Sequence, residues 1–369
     1  MENSIMKNLK ILLVITVCSL VFNACLKEDP LKIPFQTYTP LEMSDGWEIA
    51  KPDDVGIDGE ALKEVYKWVH ENKEIWQIRS LLVFKNNKLV AESYMRDPND
   101  RTNLTNIWSC TKQVVGVLTG IAIENNYIDA VSDPISKYLP QALNTDKSQI
   151  TIENLLTMQS GINYSTWEVF GQSAALLQQK PANSLDYILG LDMRSEPGTE
   201  FWYNCGNPHI MSAIIQKQTG RTLRDWAKEV LFDKIGFNRY EWITYKDGVT
   251  MGGFGIRTTP RELAKIGQLV LNGGQWNGEQ IVSRDWLSEM TSAKVLIDDY
   301  CSFGYFWWIP NYSSMVYMAG SGGQYVFIDK FTKLMVVITS EQNTLGNFEM
   351  SEGFAIYDKI NYITDWWWW

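Results

Sequence analysis

Histidine is almost absent from this chain: His70 and His209 are the only two in 369 residues. The stretch Ala319-Gly320-Ser321-Gly322-Gly323 has the look of a nucleophile elbow. Such an elbow must lead into a helix and be followed in sequence by its acid and its histidine. Here both histidines precede Ser321 and Gln324 to Asp329 reads as a strand, so a Ser-His-Asp hydrolase is a poor reading. His70 falls on an early amphipathic helix and is expected at the surface; His209 opens a later helix and is expected to be packed. Positive charge is also short. Thirty-three Lys and Arg stand against 43 Asp and Glu, for a formal charge of -10 and a pI near 4.9. That excludes the basic stripe a nucleic-acid partner would need. Zinc-knuckle spacing, a phosphate-binding glycine loop and tandem repeats are missing too.

Cysteine is sparse and unpaired in number. Cys18 and Cys25 belong to the N-terminal segment, which leaves Cys110, Cys205 and Cys301, an odd set with no disulfide framework. Each reads as a small buried apolar residue. The one long apolar run, Ile11 to Phe22, follows a charged start and is too short to span a bilayer comfortably, which is the pattern of an export signal. It ends in Val21-Phe22-Asn23-Ala24-Cys25, which resembles a bacterial lipoprotein cleavage box with Phe22 where Leu is usual. The resemblance implies a signal peptide over residues 1–24 and a lipidated Cys25, and so an exported bacterial lipoprotein anchored at the outer membrane or cell surface. Lys27-Glu28-Asp29 resembles the surface-export tag of Bacteroidetes lipoproteins. Residues 25–46, punctuated by Pro30, Pro34 and Pro40, read as a tether, and 47–369 as the folded domain.

Within that domain the order begins helix, strand, strand. Leu62, Val65, Trp68 and Val69 keep helical spacing, and two apolar runs flank Lys85-Asn86-Asn87-Lys88, a hairpin signal. A helix through Val114, Val115, Val117, Leu118 and Ile121 stops at Asn125-Asn126. Turn-rich, helical sequence follows to about Asp247, then helices over Pro260 to Leu271 and Ser283 to Met290. Strands are expected at Phe303 to Ile309, Met315 to Met318, Tyr325 to Asp329 and Leu334 to Thr339, before a last helix over Glu349 to Thr364. Sheet residues at both ends with helices between them predict an α/β fold: a sheet assembled from distant segments, plus an inserted, mostly helical lobe. The crevice between lobes is the default place for a site.

Ser109-Cys110-Thr111-Lys112 opens the helix that crosses this region. Residues i and i+3 share a helix face, so Lys112 can reach the Ser109 hydroxyl, which is a poor nucleophile until a base takes its proton. The helix N-terminus points N–H groups to where an oxyanion would form. Pro197-Gly198-Thr199-Glu200-Phe201-Trp202-Tyr203 leads by a turn into a helix and presents Tyr203 from a loop, where a phenol could share or relay the proton. The glycines of Ala319 to Gln324 let backbone come close to a ligand.

These segments resemble the serine hydrolases of the class C β-lactamase and penicillin-binding-protein type. The matching stretches run in order: Ser109 to Lys112, Val131 to Pro140, Ile152 to Gly161, the Pro-Gly-Thr to Tyr203 segment, and Thr259 to Ala264. The resemblance implies a β-lactamase-like fold, an antiparallel sheet flanked by helices, with Ser109 as acylated nucleophile, Lys112 as general base and Tyr203 in proton transfer. It places an oxyanion hole at the N–H of Ser109 with one near Gly320 or Ser321, and implies no cofactor or metal.

Two departures bear on substrate. The Asn of the Tyr-x-Asn element falls on Cys205, with Asn204 or Asn207 as stand-ins, and the place of the Lys-Thr-Gly element falls near Tyr317-Met318-Ala319 with no cation. That cation normally meets a substrate carboxylate. The expectation is therefore a small ester, amide or peptide substrate without a carboxylate there, bound along Cys205, Gly322 and Gly323, with Arg257 as a substitute charge. Gly322 to Tyr325 resembles the branch of esterases and 6-aminohexanoate-oligomer hydrolases. The alternatives are a D-alanyl-D-alanine carboxypeptidase, a β-lactamase, or a non-catalytic ligand-binding relative. The tail Trp366 to Trp369 fits none of these readings.

Overall fold

The structure is a computed structural model, which describes residues 32–164, 183–341 and 350–364. Cys25, the export signal and the tryptophan tail lie outside the described residues. Helix α1 (Gly59–Glu71) starts where the Asp58 side chain accepts from the Ala61 N–H, a local cap for an otherwise orphaned donor. Strands β1 (Ile78–Lys85) and β2 (Lys88–Tyr94) follow as a hairpin. Asn86 and Asn87, with φ of 51° and 68°, supply the two left-handed residues that its tight turn requires.

After a short 3₁₀ turn at Trp108–Cys110 comes α2 (Thr111–Glu124), then α3 (Gly206–Thr219), α4 (Pro260–Leu271) and α5 (Arg284–Met290). The chain returns to the sheet as β3 (Val295–Leu296), β4 (Cys301–Phe303), β5 (Trp308–Pro310), β6 (Met315–Gly320), β7 (Gln324–Asp329) and β8 (Leu334–Ser340), and α6 (Met350–Tyr362) follows. Eight strands form one antiparallel sheet in the order β2-β1-β8-β7-β6-β5-β4-β3. The early hairpin is thus closed by the last strand, with Leu82 opposite Val337 and Ile78 opposite Ser340.

Both faces of this sheet are covered, which is why its strands read as nearly unbroken apolar runs. Leu81 and Val83 of β1 go to the core under α1 and α6, while Leu82 and Phe84 go to the larger core beneath α2 and α4. A Cβ on Gly267 of α4 would stand 2.6 Å from the Met335 sulfur and 2.7 Å from Val326, so glycine sets how closely that helix lies on the sheet. The helical lobe also holds a small sheet of Thr105–Asn106, Ile256–Thr258 and Tyr240–Trp242.

Three expectations are corrected here. Phe303 to Ile309 is two short strands and the turn between them, with Phe306 at φ 64°. The run is apolar because the turn itself is buried: its Phe306 N–H donates to the Leu156 carbonyl, and a Cβ on Gly304 would lie 2.4 Å from the Met290 carbonyl oxygen. The tether does not hang free from Lys32 onward. Ile33 N–H donates to Met95 O, Glu92 N–H to Tyr38 O, and the Tyr38 ring stacks on Tyr66, so the segment covers the outer edge of β2. That strap buries His70, expected at the surface, whose ring nitrogens lie 2.9 Å from Ile33 O and 2.8 Å from Ser93 Oγ.

Candidate active site

Trp108, directly before the serine, has φ of 48°, a left-handed conformation that costs a bulky residue on the order of 1–2 kcal/mol. The strain is held by packing. Cys110 N–H closes the 3₁₀ turn on Ile107 O, and Ile107 N–H is tied to Ile256 O of the small sheet. From this turn α2 runs through the middle of the protein, buried on every side from Thr111 to Ala122. Ser109 is partly exposed at its mouth and Lys112 is wholly buried one turn in.

Lys112 Nζ is engaged on several sides. It donates to Ser109 Oγ at 2.8 Å and to the Gly253 carbonyl at 2.7 Å, and reaches Cys205 Sγ at 3.4 Å. It also sits 4.8 Å above the centre of the Tyr203 ring. The Gly253 carbonyl can only accept, so it takes an N–H from Lys112 in either charge state. Sequence reasoning missed Gly253, since a backbone carbonyl leaves no side-chain signature. The available signal was the doublet Gly252-Gly253. A Cβ on Gly252 would stand 2.0 Å from Pro208 O and one on Gly253 2.7 Å from Cys205 Cβ, so only glycine lets this loop approach the start of α3.

Tyr203 arrives on the loop before α3 and is hydrogen-bonded to both Ser109 and Lys112. Its ring is held at 5.5 Å from Trp308 and edge-on to Phe303 at 6.2 Å. Burial pushes the phenol pKa up and outweighs the pull of the Lys112 charge. For Lys112, burial disfavours the ammonium, but the neighbouring Cys205 and Tyr203 favour it more and hold its pKa above the ordinary lysine value. The site therefore keeps its protons tightly near neutrality.

The glycine-rich turn after β6 closes the other side. A Cβ on Gly320 would lie 2.3 Å from the Ile107 carbonyl oxygen, so this turn rests directly against the chain entering the serine. Gly322 and Gly323 are buried in it with φ of 76° and 91°. The Gln324 carbonyl accepts from the Cys110 thiol at 3.5 Å, and the Gln324 side chain clamps Ser340 of β8 through both its amide groups. At the place of the Lys-Thr-Gly element, Tyr317 lies buried and stacked on Trp308, its hydroxyl facing the Cys301 thiol. The Trp308 ring lies between Tyr203 and Tyr317, and Tyr317 itself packs in the core under α1 and α6.

Asn207 does not take the place of the missing amide. It is fully buried, with its oxygen accepting from Ser160 Oγ at 2.7 Å and its NH₂ directed at Leu155 O, while its N–H is received by Asn204 Oδ1. Both asparagines brace the start of α3. Arg257 lines a cleft of about 510 Å³ beside Trp108, together with Arg79, Asn106 and Ser340. Its guanidinium is already engaged by Glu241 at 2.7 Å and Leu104 O at 3.0 Å. His209 is packed as expected, 2.8 Å from Ser184 Oγ and edge-on to Tyr245. No group of three or more potential metal ligands occurs among the described residues.

The 6-aminohexanoate-dimer hydrolase of Paenarthrobacter ureafaciens is 25% identical over 284 residues, covering 70% of this chain and 71% of that protein. A Bacillus anthracis structure with a provisional assignment as a 6-aminohexanoate-dimer hydrolase superposes with a TM-score of 0.70 at 22% identity, over 90% of each chain. A family VIII carboxylesterase superposes at 0.66 with 17% identity, over 82% of this chain and 97% of its own, and shares the fold. Residues 79–356, most of the chain, match the Beta-lactamase family, and the protein belongs to it.

Proposed function

We propose that the protein is a serine hydrolase that cleaves a small ester or amide through an acyl-enzyme on Ser109. The observation that carries this reading is the contact of Lys112 Nζ with Ser109 Oγ at 2.8 Å, with Gly253 O fixing the amine from behind. Loss of one proton from the Lys112–Tyr203 pair creates the base. The Ser109 proton passes to it as Oγ bonds to the substrate carbonyl carbon, and the oxyanion is received by the Ser109 N–H with one from Gly320 or Ser321. Collapse expels the alcohol or amine, which takes a proton through Tyr203, and water then repeats the sequence to release the acid.

Tyr317-Met318-Ala319 puts no cation at the place of the Lys-Thr-Gly element, which supports a substrate with no carboxylate there, since a buried anion without a cation is costly. A fluorophosphonate probe should label Ser109. Ser109→Ala should abolish labelling and lower turnover of short p-nitrophenyl esters by ~10³-fold or more. Wild-type turnover by that variant would sink the reading. We also propose export and lipid anchoring through Cys25, supported by the N-terminal sequence pattern alone. A Cys25→Ser chain should then move from the membrane fraction to the soluble one; unchanged fractionation would count against it.

A further inference from the structure

The sheet end opposite Ser109, where β1 turns into β2 and β8 begins, carries a second cleft of about 410 Å³. Two indoles form its walls: Trp47 and Trp276 lie 6.2 Å apart at 79° to one another. Trp276 is presented by a small ribbon, Gln275–Trp276 against Glu279–Gln280, turned tightly by Asn277 and Gly278 with φ of 49° and 84°. Every other side chain at the cleft is an amide, and no charged residue lines it.

The amides are arranged with groups to spare. Gln268, buried at the end of α4, donates through Nε2 to Asn87 Oδ1 at 2.6 Å and Asn272 Oδ1 at 3.1 Å. The buried Gln268 Oε1 is left without a partner among the described residues, and no acceptor among them takes the NH₂ of the exposed Asn87 or the half-buried Asn272. A buried amide oxygen without a partner, beside the half-buried Asn272 and the exposed Asn87, suits a ligand that both donates and accepts. A hydroxyl group does both. The C-terminal end of α4, with its partial negative charge, favours hydroxyl donors and disfavours an anion. A cation would find no carboxylate, and a purely apolar ligand would strand the amides. Indole faces, in turn, match the C–H faces of a sugar ring.

We propose that this cleft binds a neutral saccharide, at a place separate from the catalytic serine. The test titrates the full chain with uncharged oligosaccharides (maltohexaose, cellohexaose, mannohexaose and N-acetylchitohexaose) by calorimetry and intrinsic tryptophan fluorescence. At least one should bind at a single site and change the fluorescence. Trp276→Ala and Asn272→Ala should each weaken that binding about 10-fold or more, with wild-type circular dichroism and ester turnover, while Ser109→Ala binds as wild type. If Trp276→Ala does not fold, the exposed Asn277→Ala and Gln275→Ala take its place and should weaken binding at least 3-fold. Failure of all four sugars to bind, binding unaltered by the cleft variants, or binding abolished by Ser109→Ala would each overturn the proposal. Because Ser109→Ala is a binding control here, the result does not depend on what the catalytic site hydrolyses.

Discussion

Lys112 Nζ and Cys205 Sγ lie 3.4 Å apart at the bottom of the active site, where the family's asparagine would stand. Cys205 and Tyr203 together hold the Lys112 ammonium above its ordinary pKa, against burial, and burial holds the Tyr203 phenol above its own. On the proposed mechanism one proton must leave this pair, so kcat/KM should climb with pH by about 10-fold per unit through the neutral range and continue upward past pH 8. Cys205→Asn removes the thiol and should move the rising limb toward lower pH. Tyr203→Phe should cost ~10²–10⁴-fold in kcat. Stopped-flow ester hydrolysis across pH 6 to 10 checks all three, and a flat wild-type profile would contradict the shared-proton mechanism.

His209 supplies a separate dependence, on stability. The Ser184 hydroxyl donates to Asp247 at 2.6 Å, so His209 Nε2–H donates to Ser184 and Nδ1 is left buried without a partner. Burial lowers the imidazole pKa from its ordinary 6.5 to about 4, with Asp247 opposing weakly. The unfolded chain then binds the extra proton first as pH falls. The contribution of the neutral ring is intact above pH 6.5 and is lost between 6.5 and about 4, ~3 kcal/mol in all. His209→Gln should flatten this part of the thermal-midpoint profile between pH 7 and 4.5.

Gly120 tests the packing of the catalytic helix. Replacing a mid-helix glycine by alanine ordinarily stabilises by ~1 kcal/mol. Here the new Cβ would fall 2.1 Å from the Trp286 ring, which is fixed by donating through Nε1 to Gly116 O at 3.1 Å. Overpacking wins, and Gly120→Ala should destabilise by at least ~2 kcal/mol, read as a lower denaturation midpoint.

Much of this was legible in the sequence, for identifiable reasons. The bounds of α4 could be read because Thr259, Pro260 and Asn272 mark them locally: Thr259 accepts from Glu262 N–H, and the helix stops at Asn272-Gly273. The Asn86-Asn87 turn was equally local. What failed depended on distant segments. His70 is buried by a strap from residues 32–41, Phe303 to Ile309 is apolar because its turn is enclosed, and Asn207 spends its amide on Ser160 and Leu155. The Gly253 carbonyl comes from a loop 141 residues beyond Lys112 and has no side chain to announce it.

The pairing of Ile78 with Ser340 also sets when the candidate site can be assembled. During synthesis the serine and lysine leave the ribosome long before β6, β7 and β8 exist, so the early hairpin waits for a strand more than half the chain away. Closing so long a loop is slow, and until it closes the Gly320 turn is not against Ile107. A nascent chain therefore carries Ser109 and Lys112 before it has the Gly320 turn that packs beside them.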